Sequence, residues 1–316
     1  VFKLETPIIG IEKKRITNFD IAFDSIKKNI FLLEQKFNYT FKEVTLILEN
    51  FDPTFINLTG FKRLNGSQIL KENITYILND LRSYLDKVEL KKTTIHIFNS
   101  KFYLDKKVIE NLPIGLFGDT YAHELSFTLI NENDFKNLNN IFEKCNLKLK
   151  KILVKSYISG AKISNDFKNI DTFFYIKFKG ESAKIFYFEN NSLKFQEEFN
   201  FGTNIIIQDI CKITSLNQNT IRMILDKIEF LNQNNDTEEL INEELFSGEN
   251  YRKIKKKLIY QIAFARIKEL FEIMIFKNLN LKYYINSTRN IFLELNKDFQ
   301  PESLKEIYLN TLKING

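Results

Sequence analysis

Tryptophan is absent from the 316 residues, and glycine (10), proline (4), methionine (2), cysteine (2) and histidine (2) are scarce. A chain poor in Gly and Pro and rich in Phe, Ile, Lys and Asn suits an AT-rich coding genome, and it excludes no function. Cys145 and Cys211 both fall in segments that read as helix, which argues against a disulfide framework and fits a reducing cytoplasm. His96 and His123 lie on separate expected strands, and with the cysteines they show no metal-ligand spacing. No Ser/His/Asp set and no paired carboxylates stand out. No apolar run approaches the roughly 18 residues of a membrane span. No signal peptide is visible at the start. The chain opens on Val1 rather than Met, so a preceding N-terminal piece is expected. No strand–GxGxxG–helix unit is present, which disfavours a simple Rossmann fold. Heptads, short-period repeats and low-complexity tails are missing as well.

What is present describes a folded globular chain: 44% hydrophobic and 27% charged, long enough for two domains. The net charge of +6 permits an acidic partner or an anionic membrane without requiring either. No nucleic-acid module is recognisable. Periodicity predicts an α/β order. A short strand and turn cover 3–11, and a helix over 19–36 is capped by Asn18 or Thr17. The unbroken run 44–48 reads as a buried strand. A strand over 55–61 and a helix over 68–87, capped by Ser67, follow. Strands are expected over 93–98, 123–130 and 149–154, with a helix over 132–146 between the last two. Later come helices over 219–230, 251–277, 289–297 and 302–313, and a strand over 281–285.

The densest signal is 171–209. Strands are expected over 171–178, 183–188 and 192–199, and Gly202 then opens a helix. Strand, Gly-containing turn, strand resembles the start of each nucleotide-binding half in the actin/Hsp70/sugar-kinase superfamily. There the turn holds phosphate with backbone N–H groups. Here the turn reads Lys179-Gly180-Glu181-Ser182. Glu181 repels phosphate, and one Gly remains to let backbone approach a ligand.

Three further stretches resemble the bacterial cell division protein FtsA family. They are Leu112-Pro113-Ile114-Gly115-Leu116-Phe117-Gly118 (the family's Asn-Pro-Val-Gly-Leu-x-Gly), the helix and strand of 131–154, and Asn204-Ile205 with Asp209-Ile210. The resemblance implies an actin-like, ribonuclease-H-like duplicated α/β fold with the inserted subdomain characteristic of that family. Residues 1–43 and 119–170 would form the first core subdomain and 44–118 the insert. Residues 171–212 and 278–316 would form the second core, and 213–277 its helical partner. The nucleotide motifs depart from the pattern. Asp-Ile-Gly-Gly-Gly-Thr is replaced by Lys177-Phe178-Lys179-Gly180-Glu181-Ser182, and Thr-Gly-Gly-Gly by Asn286-Ser287-Thr288-Arg289. A Glu-x-x-Lys becomes Ile221-Arg222-Met223-Ile224. Gly180, Ser182, Ser287 and Thr288 would be the remnants of an ATP and magnesium site.

The resemblance also implies a partner, the C-terminal peptide of FtsZ, received by the helical subdomain. Arg252-Lys253-Ile254-Lys255-Lys256-Lys257 is expected at the start of the 251–277 helix, where positive charge is unfavourable. Either the acidic stretch 233–250 neutralises it, or Arg252, Lys255, Lys256 and Lys257 meet an acidic peptide. Arg266, in a segment similar to the family's Pro-Arg-x-x-Glu-Leu, would grip a carboxylate with its two-pronged guanidinium. The last helix is amphipathic, short and acidic, which points to core packing, so a membrane anchor would lie outside this chain. The reading is a non-enzymatic scaffold that self-associates and recruits FtsZ at the inner face of the membrane. An ATPase of the same fold and a type IV pilus adaptor of the PilM kind are the alternatives.

Overall fold

A computed structural model describes residues 2–7, 9–12, 15–49, 51–228, 239–246, 248–295 and 302–315. The chain divides into two compact units, 1–171 with 188–195, and 172–187 with 196–316.

In the first unit, β1 (Ile11–Glu12) and β2 (Arg15–Ile16) form a small antiparallel ladder, shorter and later than the strand expected over 3–11. Helix α1 (Phe19–Phe37) is capped by Asn18, whose side chain accepts from the Ile21 N–H. Its apolar residues do not form a buried stripe. Ala22 is buried, whereas Ile21, Phe31 and Leu32 are exposed. β3 (Glu43–Leu48) runs parallel to β8 (Lys148–Val154) in a two-stranded sheet. The run 44–48 was expected to be buried on both faces, but Thr45 and Ile47 are exposed and only Leu48 is buried. α3 (Glu132–Lys144) packs on β8 and α1 through Leu138, Ile141 and Phe142.

A second sheet has the order β4-β7-β5-β6, all antiparallel: Thr54–Arg63, Thr120–Asn131, Lys92–Leu104 and Lys107–Ile109. It covers 54–131, so β3 stands outside it and β7 inside. α2 (Lys71–Val88) lies across it and buries Ile77, Leu81 and Leu85 against Leu125, Phe127 and Leu129. A Cβ on Gly60 would come 2.5 Å from the Ile77 side chain, so the glycine lets the helix settle this close. The expected Ser67 cap is not used. α2 starts later, and the Asn73 side chain accepts from the Leu70 N–H instead. The 112–118 turn is pinned beside it. Gly115 sits at φ +90°, its N–H bonded to the Ile69 carbonyl at 2.9 Å. α4 (Lys155–Asp166), absent from the sequence reading, closes the unit.

The second unit is built on β9 (Phe173–Phe178), which is buried on both faces except at Lys177. The sheet order is β11-β10-β9-β12, with β10 at Ala183–Glu189, β11 at Ser192–Phe199 and β12 at Ile291–Glu294. Asn190 and Asn191, both at positive φ, make the two-residue turn that brings β11 back antiparallel to β10. β12 is parallel to β9. Helices α5 (Asn204–Thr214), α6 (Gln218–Lys227), α7 (Lys256–Phe271) and α8 (Glu302–Asn315) pack together. Phe178, Phe271 and Tyr308 meet ring to ring at 5.2–6.2 Å. The burial of Leu304, Ile307 and Tyr308 agrees with core packing for the last helix.

Two expectations about this unit fail. The helix expected over 251–277 begins at Lys256 and passes at 272 into a π-helical turn (Glu272–Phe276). The strand expected over 281–285 is a chain of tight turns, and the strand is β12, where a helix was expected over 289–297.

Candidate functional site

The 179–182 turn closes on itself, with the Lys179 N–H donating to the Ser182 carbonyl at 2.8 Å. The start of α5 docks directly on it. Thr203 N–H donates to the Lys179 carbonyl and Asn204 N–H to the Gly180 carbonyl, both at 2.9 Å. Gly202 permits this approach, since a Cβ there would stand 2.1 Å from the Lys179 carbonyl oxygen. The Asn204 side chain lies over Gly180 and accepts from Arg222 Nη2 at 3.2 Å. A helix N-terminus binds anions through free N–H groups. Here the Thr203 and Asn204 donors face carbonyls of the protein's own turn, and Glu181 stands exposed beside them.

Lys177, in place of the family's Asp, is also engaged. It faces Glu294 across the β9–β12 pair, Nζ to carboxylate 2.8 Å, and the Tyr175 hydroxyl donates to the same carboxylate. The carboxylate of this pair therefore sits on β12 and the cation on β9. Sequence reasoning found Lys177 but not Glu294, because β12 was read as helix. The short apolar run Ile291-Phe292-Leu293 was the available signal. An exposed acid, a paired lysine and donors already satisfied do not fit a nucleotide phosphate and its metal.

The expected remnants are not brought together. Gly180 and Ser182 follow the C-terminal end of β9. Ser287 and Thr288 precede β12, and Thr288 Oγ1 donates to the Thr172 carbonyl at 2.9 Å, just before β9 begins. Six strand residues, about 20 Å of rise, separate the two sets. The Ser287 hydroxyl bonds the Tyr187 hydroxyl at 2.6 Å, and Tyr187 stacks on Tyr284 at 4.6 Å. The register used for the 286–289 motif followed the misplaced strand. Residues after the true strand begin at Leu295, and 296–301 lie outside the described residues.

The basic segment is dispersed by the fold. Arg252 precedes α7 and caps α5, its Nη1 donating to the Thr214 and Ser215 carbonyls at 3.0 and 3.1 Å. Lys256 pairs with Glu239, which is the neutralisation expected from the acidic stretch. Asp236 and Glu238 lie outside the described residues. Lys255 sits at the α7 N-cap, and Lys257 is exposed. Arg266 Nε binds Asp209 of α5, and Nη1 binds Glu269 at 2.6 Å. The Asp209 hydrogen bond pushes the Arg266 pKa up, holding its charge. The pair joins α5 to α7, so Arg266 reaches a peptide carboxylate only alongside or in place of these partners.

Sequence reasoning also missed a buried ion network in the first unit. The Lys194 side chain is 1% exposed, and its Nζ bonds Glu124 and lies 3.7 Å from Glu189. Lys101 bonds Glu189 at 2.8 Å. No period or motif announces contacts between residues 70 positions apart.

No family model matches the chain. Two curated relatives do, both named cell division protein FtsA. The first, from Buchnera aphidicola subsp. Schizaphis graminum, is 21% identical over 201 residues, 64% of this chain and 48% of the relative. The second, from Buchnera aphidicola subsp. Acyrthosiphon pisum, is 22% identical over 202 residues, with the same coverage. The chain is FtsA-like. The FtsA match spans about half the length of those relatives. Both units are mixed α/β, the class the sequence led one to expect. Among solved structures, a PilM-PilN type IV pilus biogenesis complex aligns with a TM-score of 0.45 at 10% identity, covering 98% of this chain and 89% of that one. MreB5 of Spiroplasma citri bound to ADP aligns with a TM-score of 0.37 at 12% identity, covering 96% and 77%. Among the described residues no helix is long and apolar enough to cross a membrane, and no group of His, Cys, Asp or Glu could hold a metal ion.

Proposed function

We propose that the chain is an actin-like scaffold of cell division that recruits or tethers FtsZ at the inner face of the membrane, without turning over ATP. The FtsA match over 201 residues carries the reading. The geometry of the 179–182 turn supports the nucleotide-independent part, since Lys177 is paired with Glu294, Glu181 is exposed and the Thr203 and Asn204 donors are taken by the turn's own carbonyls. In this reading the four-subdomain division of the family holds and the protein self-associates.

The proposed tail site is the outer face of α7. Lys257, Leu258, Gln261, Ala265 and Lys268 follow one another on that face, and all are exposed. Arg266 borders it, and Lys255 stands at its start. An acidic peptide laid along the face meets the cations while its apolar side chains cover Leu258 and Ala265. Binding of an FtsZ C-terminal peptide, read by fluorescence anisotropy, tests this. Arg266→Ala and Lys255→Glu each weaken binding about tenfold if a charge-assisted contact is lost. Unchanged affinity in both removes α7 as the site. A wild-type protein that ignores the FtsZ peptide but takes a pilus-type peptide makes it a PilM-like adaptor.

A further inference from the structure

The β10–β11 tip, residues 188–195, folds with the first unit, although the strands on either side of it belong to the second. Much of what fixes the tip is polar. β5 bulges at Ser100, where its register with β7 shifts between Asn99 and Lys101. The bulge presents two carbonyls to the tip. Asn190 Nδ2 donates to Ser100 O at 2.7 Å, and Ser192 Oγ to Asn99 O at 2.6 Å. On the far side of the turn, Asn57 Nδ2 donates to Lys194 O at 3.2 Å, while Ser126 Oγ holds Asn57 Oδ1 at 2.7 Å. Phe188 and Leu193 add two apolar anchors, the Phe188 ring lying where a Cβ on Gly160 would sit.

Beneath these contacts lies the charge network. Among the described residues, the charged or titratable groups that face Lys194 include Glu124 on β7, Glu189 at the end of β10, and Lys101 and Tyr103 on β5. With Lys194 protonated, two cations stand against two carboxylates. Without that proton, the two carboxylates lose the buried cation between them and keep Lys101, and breaking a buried ion pair is strongly unfavourable.

We propose that the tip is a charge-gated latch: it stays docked on the bulged β5 only while Lys194 is protonated and paired with Glu124 and Glu189. Burial, aided by the nearby Lys101 charge, pushes the Lys194 pKa down and the two glutamates oppose it, so the latch holds at neutral pH and loosens toward alkaline pH, below the ordinary lysine range.

Amide hydrogen exchange on the full chain, read by mass spectrometry, tests the proposal. In Lys194→Met, peptides covering 188–195 exchange at least about tenfold faster, and α2 peptides do not change. The wild type raised from about pH 7 to about pH 10 loses protection at the tip first, once rates are corrected for intrinsic exchange. Tip protection that is unchanged in Lys194→Met, or lost only together with α2, overturns the latch. If Lys194→Met does not fold, Asn190→Ala with Ser192→Ala decides in its place. Local release of the tip supports the proposal, and uniform exchange across the unit refutes it.

Discussion

His123 shows how much a single buried residue can impose. Its ring lies between Phe102 and Tyr121, at 4.8 and 6.0 Å, and neither ring nitrogen has a hydrogen-bond partner among the described residues. Burial pushes its pKa down to about 4. In the unfolded chain the group titrates near 6.5, so between those values the unfolded state binds the extra proton. Stability is therefore lost as pH falls through that window, by up to about 3 kcal/mol for a shift of this size. Urea unfolding at about pH 7 and about pH 5 should show the drop. His123→Phe should remove most of it, since an aromatic ring without nitrogens leaves nothing to protonate or to satisfy. Equal pH dependence in both proteins would mean the loss arises elsewhere.

At the scale of elements, close backbone approach sets two positions. Gly202→Ala drives a Cβ into the Lys179 carbonyl and lifts α5 off the turn, at a cost of about 1–3 kcal/mol. Gly60→Ala strikes Ile77 and shifts α2 on its sheet at a similar cost. Thermal melts of both variants check this, and a Tm within a degree or so of wild type would show that the neighbours yield freely. Arg266→Ala also breaks the α5–α7 pair with Asp209, so its melt must accompany any binding measurement. Elements were legible where the period was clean, as in α1, α3, α5, α6 and the three-strand run of β9, β10 and β11. Buried termini were not. α2 takes its start from Asn73 rather than from Ser67, the better cap by composition. α7 starts only after Arg252 has turned away to cap α5. β12 was missed because its four residues carry too little pattern to outweigh flanking polar residues that read as helix. That error also set the 286–289 motif after a strand, whereas in the structure it precedes β12. The pairings of Lys177 with Glu294, and of Lys194 with Glu124, depend on strand register, which local sequence does not encode.

For the whole molecule, a mixed α/β chain with an FtsA-like sequence carries a 179–182 turn whose carbonyls are taken by the start of α5. The central claim is that the fold persists without nucleotide and serves as a scaffold. Calorimetric titration of the complete protein with ATP and magnesium tests it most directly. The account predicts no binding heat, and no shift in Tm at about 1 mM ligand. Binding with a Kd of about 1–10 μM would contradict it. In that case the turn opens to receive phosphate, the roles given to Lys177 and Glu181 are wrong, and nucleotide control of assembly becomes the working model.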